Sequence, residues 1–362
     1  MKKLVSVIAA LMISVTLVSC STSNNISSKN TNTAAQNAAK QHEKDRRSYK
    51  ETLRVYNAAE YIDQSTIVDF EKENKIRVEY AEFESNETLY QDISANPGSY
   101  DVLVPSDYMV DRLIKEGRIE KLDKSKIPNI ANIATEYLSP AYDTNNDYTV
   151  PYMTGTVGIL YNKKKVSAPI EQWSALFNDQ YKGKVLLWDS QRDVIGATLK
   201  MLGYGINSKD DNELSQVQAK LLQARSSFQY GEEEMHDKMI AGEGVLALVY
   251  SGEAKSAIDQ NPNLAFVIPT EGSNKWVDGF VVMKNTKAKD AAEKFINFMC
   301  RPNIAVRNMT QTGYTSPVKG AWAEFGNNTI MFPTAEELAR CEAFLYDATA
   351  AQKYDNLWTK VK

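Results

Sequence analysis

Carboxylate and aromatic side chains recur just after several stretches that have the pattern of buried strands. These residues are Glu60, Tyr61, Asp107, Tyr108, Asp189, Asp193, Tyr250, Trp276 and Asp278. A carboxylate pairs with an ammonium group, and an aromatic face attracts a cation and contacts methylene groups. Several acids that face one cleft would also repel one another while the cleft is empty. The set therefore favours a site for an elongated organic cation.

Each of these residues also has a purely structural interpretation. Tyr61 and Tyr108 could pack within a core, and Asp107 could cap a helix that begins at Tyr108. Asp193 could likewise cap the next predicted helix, or pair with the neighbouring Arg192. Trp276 and Asp278, in a predicted loop rich in Gly, Ser and Asn over residues 271–279, favour a binding role most strongly.

Alternating strand and helix patterns position these residues. Strands are predicted at residues 53–56, 76–83 and 101–105, and helices at residues 65–74, 86–95 and 108–116, the last closed by Gly117. The same alternation predicts later strands at residues 185–188, 245–250, 264–268 and 280–283 and helices at residues 194–202 and 232–241. This order is typical of parallel α/β structure, in which ligands bind at the carboxyl ends of strands.

The N-terminus has the features of an export signal. Lys2 and Lys3 precede a mainly apolar run over residues 4–18, which is too short to span a bilayer. The run ends in Leu17-Val18-Ser19-Cys20, which resembles a bacterial lipobox. We expect a signal peptide over residues 1–19, lipidation of Cys20, and a flexible polar tether over residues 20–50. The alternative is an ordinary signal peptide with a coincidental cysteine.

Composition argues against several classes of function. The 46 acidic and 42 basic residues give a net charge of −4 without a basic block, so nucleic acid is not an expected partner. Three cysteines and two histidines are too few for a disulfide framework or for most zinc sites. The sequence has no nucleophile elbow, phosphate loop, zinc-protease motif or Cys-x-x-Cys pair. We therefore expect no enzyme activity, cofactor or metal.

Several motifs resemble one family of binding proteins. They run colinearly from about Leu53 to the C-terminus and include residues 83–88, 100–108, 116–117, 122–126, 146–152, 180–183, 250–254, 276–278, 297–298, 301–302 and 312–314. In these motifs the chain is similar to the spermidine/putrescine-binding proteins of bacterial polyamine ABC transporters, here in lipoprotein form. The resemblance implies a polyamine ligand, an ABC permease as partner and a monomer at the outer face of the cell membrane, or in the periplasm of a two-membrane host.

The resemblance also implies a fold and its boundaries. The family has the α/β, two-lobed type II periplasmic-binding-protein fold, in which each lobe is a central sheet flanked by helices and the ligand cleft lies between the lobes. One lobe would comprise residues 51–155 and about 277–320, and the other residues 156–276 and about 321–362.

Roles for individual residues follow from the same resemblance. Asp278 and Asp193 would pair with ligand amines, and Glu60 would bind a terminal amine or join a polar network. Ser106 would lie alongside the ligand, and Asp107 and Asp189 complete the predicted set, with an alternative alignment in which the family's second acid falls on Ser190 instead of Asp189. The aromatic residues that would enclose the methylene chain are Tyr61, Tyr108, Tyr250, Trp276 and Tyr314.

The chain departs from the family pattern at several positions. Ala58 and Ala59 replace a tryptophan and its small neighbour, Thr154 replaces an aromatic residue, and Leu345 stands near a family glutamine. Two aromatic walls would be missing, so the preferred polyamine stays open. The alternatives are a binding protein for another small organic cation and a sensory lipoprotein of the same fold. Whether Cys300 and Cys341 pair is also open.

Overall fold

The computed structural model describes residues 40–231 and 233–362. Residues from Ser48 to Lys362 form one compact unit. Before it, residues 40–46 form a helix, α1, so this part of the predicted tether is helical where we expected flexible chain. The signal peptide and Cys20 lie outside the described residues. No helix of the described part is both long enough and apolar enough to cross a membrane.

The compact unit alternates strands and helices as predicted. The strands are β1 (Glu51–Ala58), β2 (Ile76–Phe83), β3 (Val102–Leu103), β4 (Thr149–Asn162), β5 (Val185–Trp188), β6 (Phe228–Gly231), β7 (Leu246–Tyr250), β8 (Leu264–Val267) and β9 (Lys275–Val282). The helices are α2 (Gln64–Asn74), α3 (Asn86–Ala95), α4 (Asp107–Lys115), α5 (Gln191–Met201), α6 (Asp211–Ala224), α7 (Glu233–Ala241), α8 (Ser251–Gln260), α9 (Lys289–Met299), α10 (Pro302–Thr312), α11 (Ala335–Ala339) and α12 (Ala348–Val361). Short 3₁₀ helices occupy several connections.

The strands form a mixed sheet in the order β2-β1-β3-β9-β4-β7-β5-β6, with β8 also paired to β4. The predicted parallel arrangement holds for β1 with β2 and β3, and for β5 with β6 and β7. It is wrong for β8 and β9, which pair antiparallel with β4, a long strand that the sequence analysis did not predict. Long antiparallel strands between two parallel groups allow one chain segment to join two halves of a fold.

β4 is the strand that joins these halves. It pairs with β9 as far as Thr156 and with β7 from Val157 onward. The β1 half therefore carries α3 and α4, and the β7 half carries α5 and α8. The lobe boundaries given in the sequence analysis stay predictions.

Local sequence signals explain several element ends. Asp63 caps α2 by accepting a hydrogen bond from the Ser65 amide. Gly117 follows α4 with a φ of 64°, a left-handed conformation that glycine adopts without strain. Cys300 and Cys341 are both buried free thiols, which answers the question that the sequence left open.

Candidate functional site

Four predicted aromatic residues form a continuous series of edge-to-face contacts. Ring centres are 5.3 Å apart between Tyr61 and Tyr314, 5.9 Å between Tyr314 and Trp276, and 5.2 Å between Trp276 and Tyr250. These side chains come from both halves of the fold. The structure therefore brings together rings that lie far apart in the sequence, as an aromatic site for a hydrocarbon chain requires.

Trp276 and Asp278 lie in strand β9, not in the loop that we predicted over residues 271–279. Backbone pairing with β4 rather than local sequence sets this segment, since Gly155 is opposite Trp276 and Met153 is opposite Asp278. Side chains two apart on a strand share a face. The strand consequently presents an aromatic ring and a carboxylate to the same side.

Asp278 is a buried carboxylate with spare hydrogen-bonding capacity. It is 7% exposed, and its Oδ2 accepts a hydrogen bond from the Tyr61 hydroxyl at 2.7 Å. Its Oδ1 is buried and makes no hydrogen bond with any described residue, although the Ser106 and Trp276 side chains lie close enough to the carboxyl to lower its pKa against the effect of burial. Burial raises the pKa of the Asp278 carboxyl to about 6. An unpartnered oxygen on a buried acid is costly unless a donor from a ligand reaches it.

Asp193 is also buried, but neutral donors from the protein surround it. Its Oδ2 accepts hydrogen bonds from the hydroxyls of Ser190 at 2.6 Å and Tyr250 at 2.7 Å, and its Oδ1 accepts one from Asn274 at 3.2 Å. Burial raises the pKa of Asp193. The alternative capping role is wrong, because α5 begins at Gln191 and Ser190 takes the N-cap position.

Asp107 is the third buried acid of the set. It is the first residue of α4, with Ser106 at the N-cap position, so its predicted capping role is also wrong. Its Oδ1 accepts a hydrogen bond from the adjacent Tyr108 amide at 2.7 Å, and its Oδ2 accepts a long one from the Val277 amide at 3.4 Å. Burial, with a further contribution from the nearby Asp278 charge, raises the pKa of Asp107 to about 8.

Asp107 should therefore destabilise the ligand-free protein when it ionises. Folding raises the pKa of Asp107 from about 4 to about 8. The free energy of unfolding is therefore highest below about pH 4 and decreases as pH rises to about 8, because the unfolded chain gives up this proton more readily than the folded protein does. We expect Asp107→Asn to raise the melting temperature at about pH 8 by roughly 5 °C, with little effect at about pH 4. Thermal melting at both pH values measures this.

A matched control comes from the same helix. Asp111 is also buried, but its Oδ2 pairs with Lys115 at 2.7 Å. Asp111→Asn should therefore not stabilise the protein at the higher pH. Equal melting temperatures of the Asp107→Asn variant and the wild-type protein at both pH values would show that the Asp107 charge has no such cost.

Ser106 and Tyr108 sit beside these acids. Ser106 forms an isolated β-bridge with Asp278, and its hydroxyl accepts a hydrogen bond from Asn86 at 3.0 Å. The Tyr108 ring is 8% exposed, and its hydroxyl donates to Glu87 at 3.1 Å. Arg192 covers this ring, with its Cζ 4.2 Å from the ring centre. One face of Tyr108 is thus occupied by a cation of the protein itself.

Two predicted residues do not join the cluster. The Asp189 carboxylate accepts a hydrogen bond from the Lys362 ammonium at 2.5 Å and is about one-third exposed. Glu60 is exposed at the end of β1, with a left-handed φ of 53°. Of the two positions that the resemblance left open for the second acid, Ser190 is the one that contacts Asp193.

Sequence reasoning missed several members of the site. Trp188 extends the aromatic series, with its ring 5.9 Å from that of Tyr250. The Tyr152 hydroxyl donates to the Tyr61 carbonyl at 2.7 Å, and the Tyr152 ring makes an edge-to-face contact with the Tyr61 ring. Asn274 contacts Asp193 across a separation of 81 residues in the sequence. The strand-end position of Trp188 was a usable signal, but the Asn274 contact depends on tertiary structure.

Two glycines allow the rings to lie this close to the backbone. A Cβ added at Gly155 would lie 2.5 Å from the nearest Trp276 ring atom, and one at Gly252 would lie 2.5 Å from the Tyr314 ring. Both distances are shorter than any normal contact. The ring positions therefore require the absence of a side chain at residues 155 and 252.

The structure shows the exposure and contacts of three positions that depart from the family pattern. Ala58 is half-buried at the end of β1, and Leu345 is 56% exposed. The Thr154 hydroxyl donates to the Trp276 carbonyl at 2.7 Å. Strand alternation places the Thr154 side chain on the face of β4 opposite the Trp276 ring. On that face lies a cavity of about 470 Å³, also lined by Tyr137, Trp322 and Phe332, and none of the predicted ligand-binding residues lines it.

The described residues contain no group of three or more His, Cys, Asp or Glu side chains that could hold a metal ion. Asp107, Asp193 and Asp278 form no ion pair within the described part of the chain, since no Lys or Arg nitrogen there lies within 4.0 Å of these carboxylates. The site is thus an aromatic series with three buried acids. Such a site suits an organic cation.

Comparison with known sequences agrees with this chemistry. The family of bacterial extracellular solute-binding proteins matches residues 65–340. The spermidine/putrescine-binding periplasmic protein of Salmonella typhimurium is 34% identical over 322 residues, which cover 87% of this chain and 92% of the relative. The putrescine-binding periplasmic protein PotF of Escherichia coli is 30% identical over 339 residues, covering 86% of this chain and 92% of the relative.

Solved structures show the same fold. The spermidine/putrescine ABC transporter substrate-binding protein PotD of Streptococcus pneumoniae is similar with a TM-score of 0.76 and 34% identity, over 86% of this chain and 98% of that one. The Tp0655 (TpPotD) lipoprotein of Treponema pallidum is similar with a TM-score of 0.78 and 27% identity, over 86% and 99%. The predicted two-lobed α/β fold is thereby confirmed.

Proposed function

Because the chain belongs to the family of bacterial extracellular solute-binding proteins, we propose that it captures a polyamine between its two lobes and delivers it to an ABC permease. The observation that carries this proposal is the buried Oδ1 of Asp278, which makes no hydrogen bond with any described residue and lies beside the aromatic series. An ammonium group donates a hydrogen bond to this oxygen and also carries the positive charge that pairs with the carboxylate. The adjoining rings then contact the methylene chain.

The charge of the site supports a ligand with more than one amine. Asp107, Asp193 and Asp278 are all buried without a Lys or Arg ion pair in the described part of the chain. Burial raises the pKa of all three carboxyls and so disfavours their ionised forms, and a polycation that pairs with the carboxylates would favour ionisation and stabilise the closed arrangement. Asp278 binds one ligand amine, and Asp193 orients a second through the hydroxyls that already contact it.

The same proposal covers location and partners. The protein is anchored by lipidated Cys20 at the extracytoplasmic face of the membrane, acts as a monomer and catalyses no reaction. The lipobox-like residues 17–20 and the similarity to a Treponema pallidum lipoprotein support the anchor. The similarity to an ABC transporter substrate-binding protein of Streptococcus pneumoniae supports the permease as partner.

Isothermal titration of ligand-free protein tests the function. Protein that begins at Ser48, stripped of bound ligand by unfolding and refolding, is titrated with spermidine, putrescine, spermine and choline. We expect a dissociation constant of about 1 μM or lower for at least one polyamine, because charge-assisted hydrogen bonds and cation–π contacts together supply this affinity.

Salt dependence and choline provide the control within this experiment. Binding through carboxylates should weaken with added salt, whereas choline lacks a second charge and should bind more weakly than the best polyamine. Absence of heat and of a thermal shift with every polyamine would overturn the proposed ligand. A clear preference for choline would assign the site to another organic cation.

A further inference from the structure

Arg192 contacts two helices that belong to the other half of the fold. It lies in the first turn of α5, which follows β5, whereas Glu87 lies in α3 and Tyr108 in α4, which follow β2 and β3. Its Cζ lies 4.2 Å from the centre of the Tyr108 ring. Its Nε lies 3.8 Å from Oε1 of Glu87. The Arg192 side chain therefore bridges the two halves beside the acid cluster.

The partners of Arg192 are themselves fixed in place. The Tyr108 hydroxyl donates to Oε1 of Glu87 at 3.1 Å, so the ring and the carboxylate form one unit. The Arg192 side chain is 12% exposed and that of Glu87 is 57% exposed. An ion pair with so exposed a partner contributes little, whereas a cation over a buried ring is less screened by water. The contact with Tyr108 is consequently the main part of the bridge.

The bridge is of moderate strength. The Arg192 Nε is buried and makes no hydrogen bond with any described residue. Separation of the halves would return this N–H to water, which offsets part of the attraction to Tyr108 and Glu87. The contact can therefore hold a closed cleft without preventing it from opening.

We propose that Arg192 is an inter-lobe positioning residue that slows ligand release by holding α5 against α3 and α4. This inference rests on the proposed function, since release of a captured solute is what it slows. Because these contacts join the two halves, opening of the cleft would break them. Their loss should raise the dissociation rate and leave the association rate nearly unchanged.

Stopped-flow tryptophan fluorescence with spermidine and putrescine measures both rates. We expect Arg192→Met to raise the dissociation rate about threefold to tenfold, and Arg192→Lys, which keeps the charge without the planar group, to fall between it and wild type. Glu87→Gln should have a smaller effect. The double variant that carries Arg192→Met and Glu87→Gln should have a dissociation rate no higher than the product of the two single-variant effects predicts, because both residues act through one bridge.

The control removes an Arg–Glu pair that lies within one half of the fold. Arg301 forms two hydrogen bonds with Glu73, at 2.8 Å and 2.6 Å, between the start of α10 and α2. Arg301→Met removes the same chemical group without touching the cleft. We expect its ligand release rate to equal that of the wild-type protein.

Small-angle scattering of the ligand-free proteins tests the bridge without any polyamine. Arg192→Met should have a larger radius of gyration than wild type, and Arg301→Met should not. Unchanged scattering and an unchanged release rate, in Arg192→Met protein with a normal melting curve, would overturn the proposal. If the wild-type protein binds no polyamine, the proposed function fails while the scattering comparison still decides the bridge. Arg192→Lys, which removes the planar group over Tyr108, serves for both measurements should Arg192→Met fail to fold.

Discussion

An Asp278→Asn variant is expected to bind polyamines at least about tenfold more weakly than the wild-type protein. Asparagine keeps the shape of the side chain and still accepts the hydrogen bond that the Tyr61 hydroxyl donates at 2.7 Å. It carries no charge to pair with an ammonium group at the buried position that Oδ1 occupies. Isothermal titration near neutral pH measures the loss.

The pH dependence of binding identifies the same group. Burial raises the pKa of Asp278 to about 6, and only the ionised carboxylate attracts an ammonium group. The affinity of the wild-type protein should therefore fall as pH decreases through about 6, by up to roughly tenfold per pH unit. The Asp278→Asn variant should lose this part of the pH dependence.

Asp189→Asn is the matched control for Asp278→Asn. It removes the same charge from a carboxylate that pairs with Lys362 outside the cluster. Its polyamine affinity should stay within about twofold of the wild-type value, since a distant and partly exposed charge is screened. Equal affinities for the Asp278→Asn and Asp189→Asn variants would show that Asp278 does not contact the ligand amine.

Local patterns in the sequence were sufficient to predict most of the fold. Strand β2, helix α3 and strand β5 have the predicted bounds, because period-two and helical patterns are strong there. The family and the two-lobed fold were predicted from colinear motifs and are confirmed. The prediction was wrong where pairing partners decide the structure, as in β9, whose first residues pair with β4 although Gly, Ser and Asn precede them.

The candidate site was predictable in its residue types but not in its hydrogen bonds. Carboxylates and rings at strand ends indicated where to look, and Tyr61, Tyr314, Trp276 and Tyr250 do come together. Spacing carries no information on which acid the protein's own donors already satisfy. Asp193 accepts hydrogen bonds from three such donors, whereas one oxygen of Asp278 accepts none from the described part of the chain. That difference makes Asp278 the acid with the greater need for a ligand.

Gly252→Ala is expected to lower both stability and polyamine affinity, although it adds a single methyl group. Gly252 is the second residue of α8, where alanine has the better helix propensity by roughly 1 kcal/mol. A Cβ there would lie 2.5–2.6 Å from three atoms of the Tyr314 ring. That ring is buried between Tyr61 and Trp276, so it cannot move aside without disturbing both.

The clash should therefore outweigh the helix propensity. Overpacking of this kind costs about 1–3 kcal/mol, and displacement of Tyr314 should weaken polyamine binding by roughly tenfold. Thermal melting and titration measure the two effects on one preparation. Gly205→Ala is the control, because Gly205 is exposed and its added Cβ would come no closer than 3.4 Å to Glu342. If Gly252→Ala melts and binds as the control does, Tyr314 is not held against this glycine, and the aromatic series does not set the shape of the ligand site.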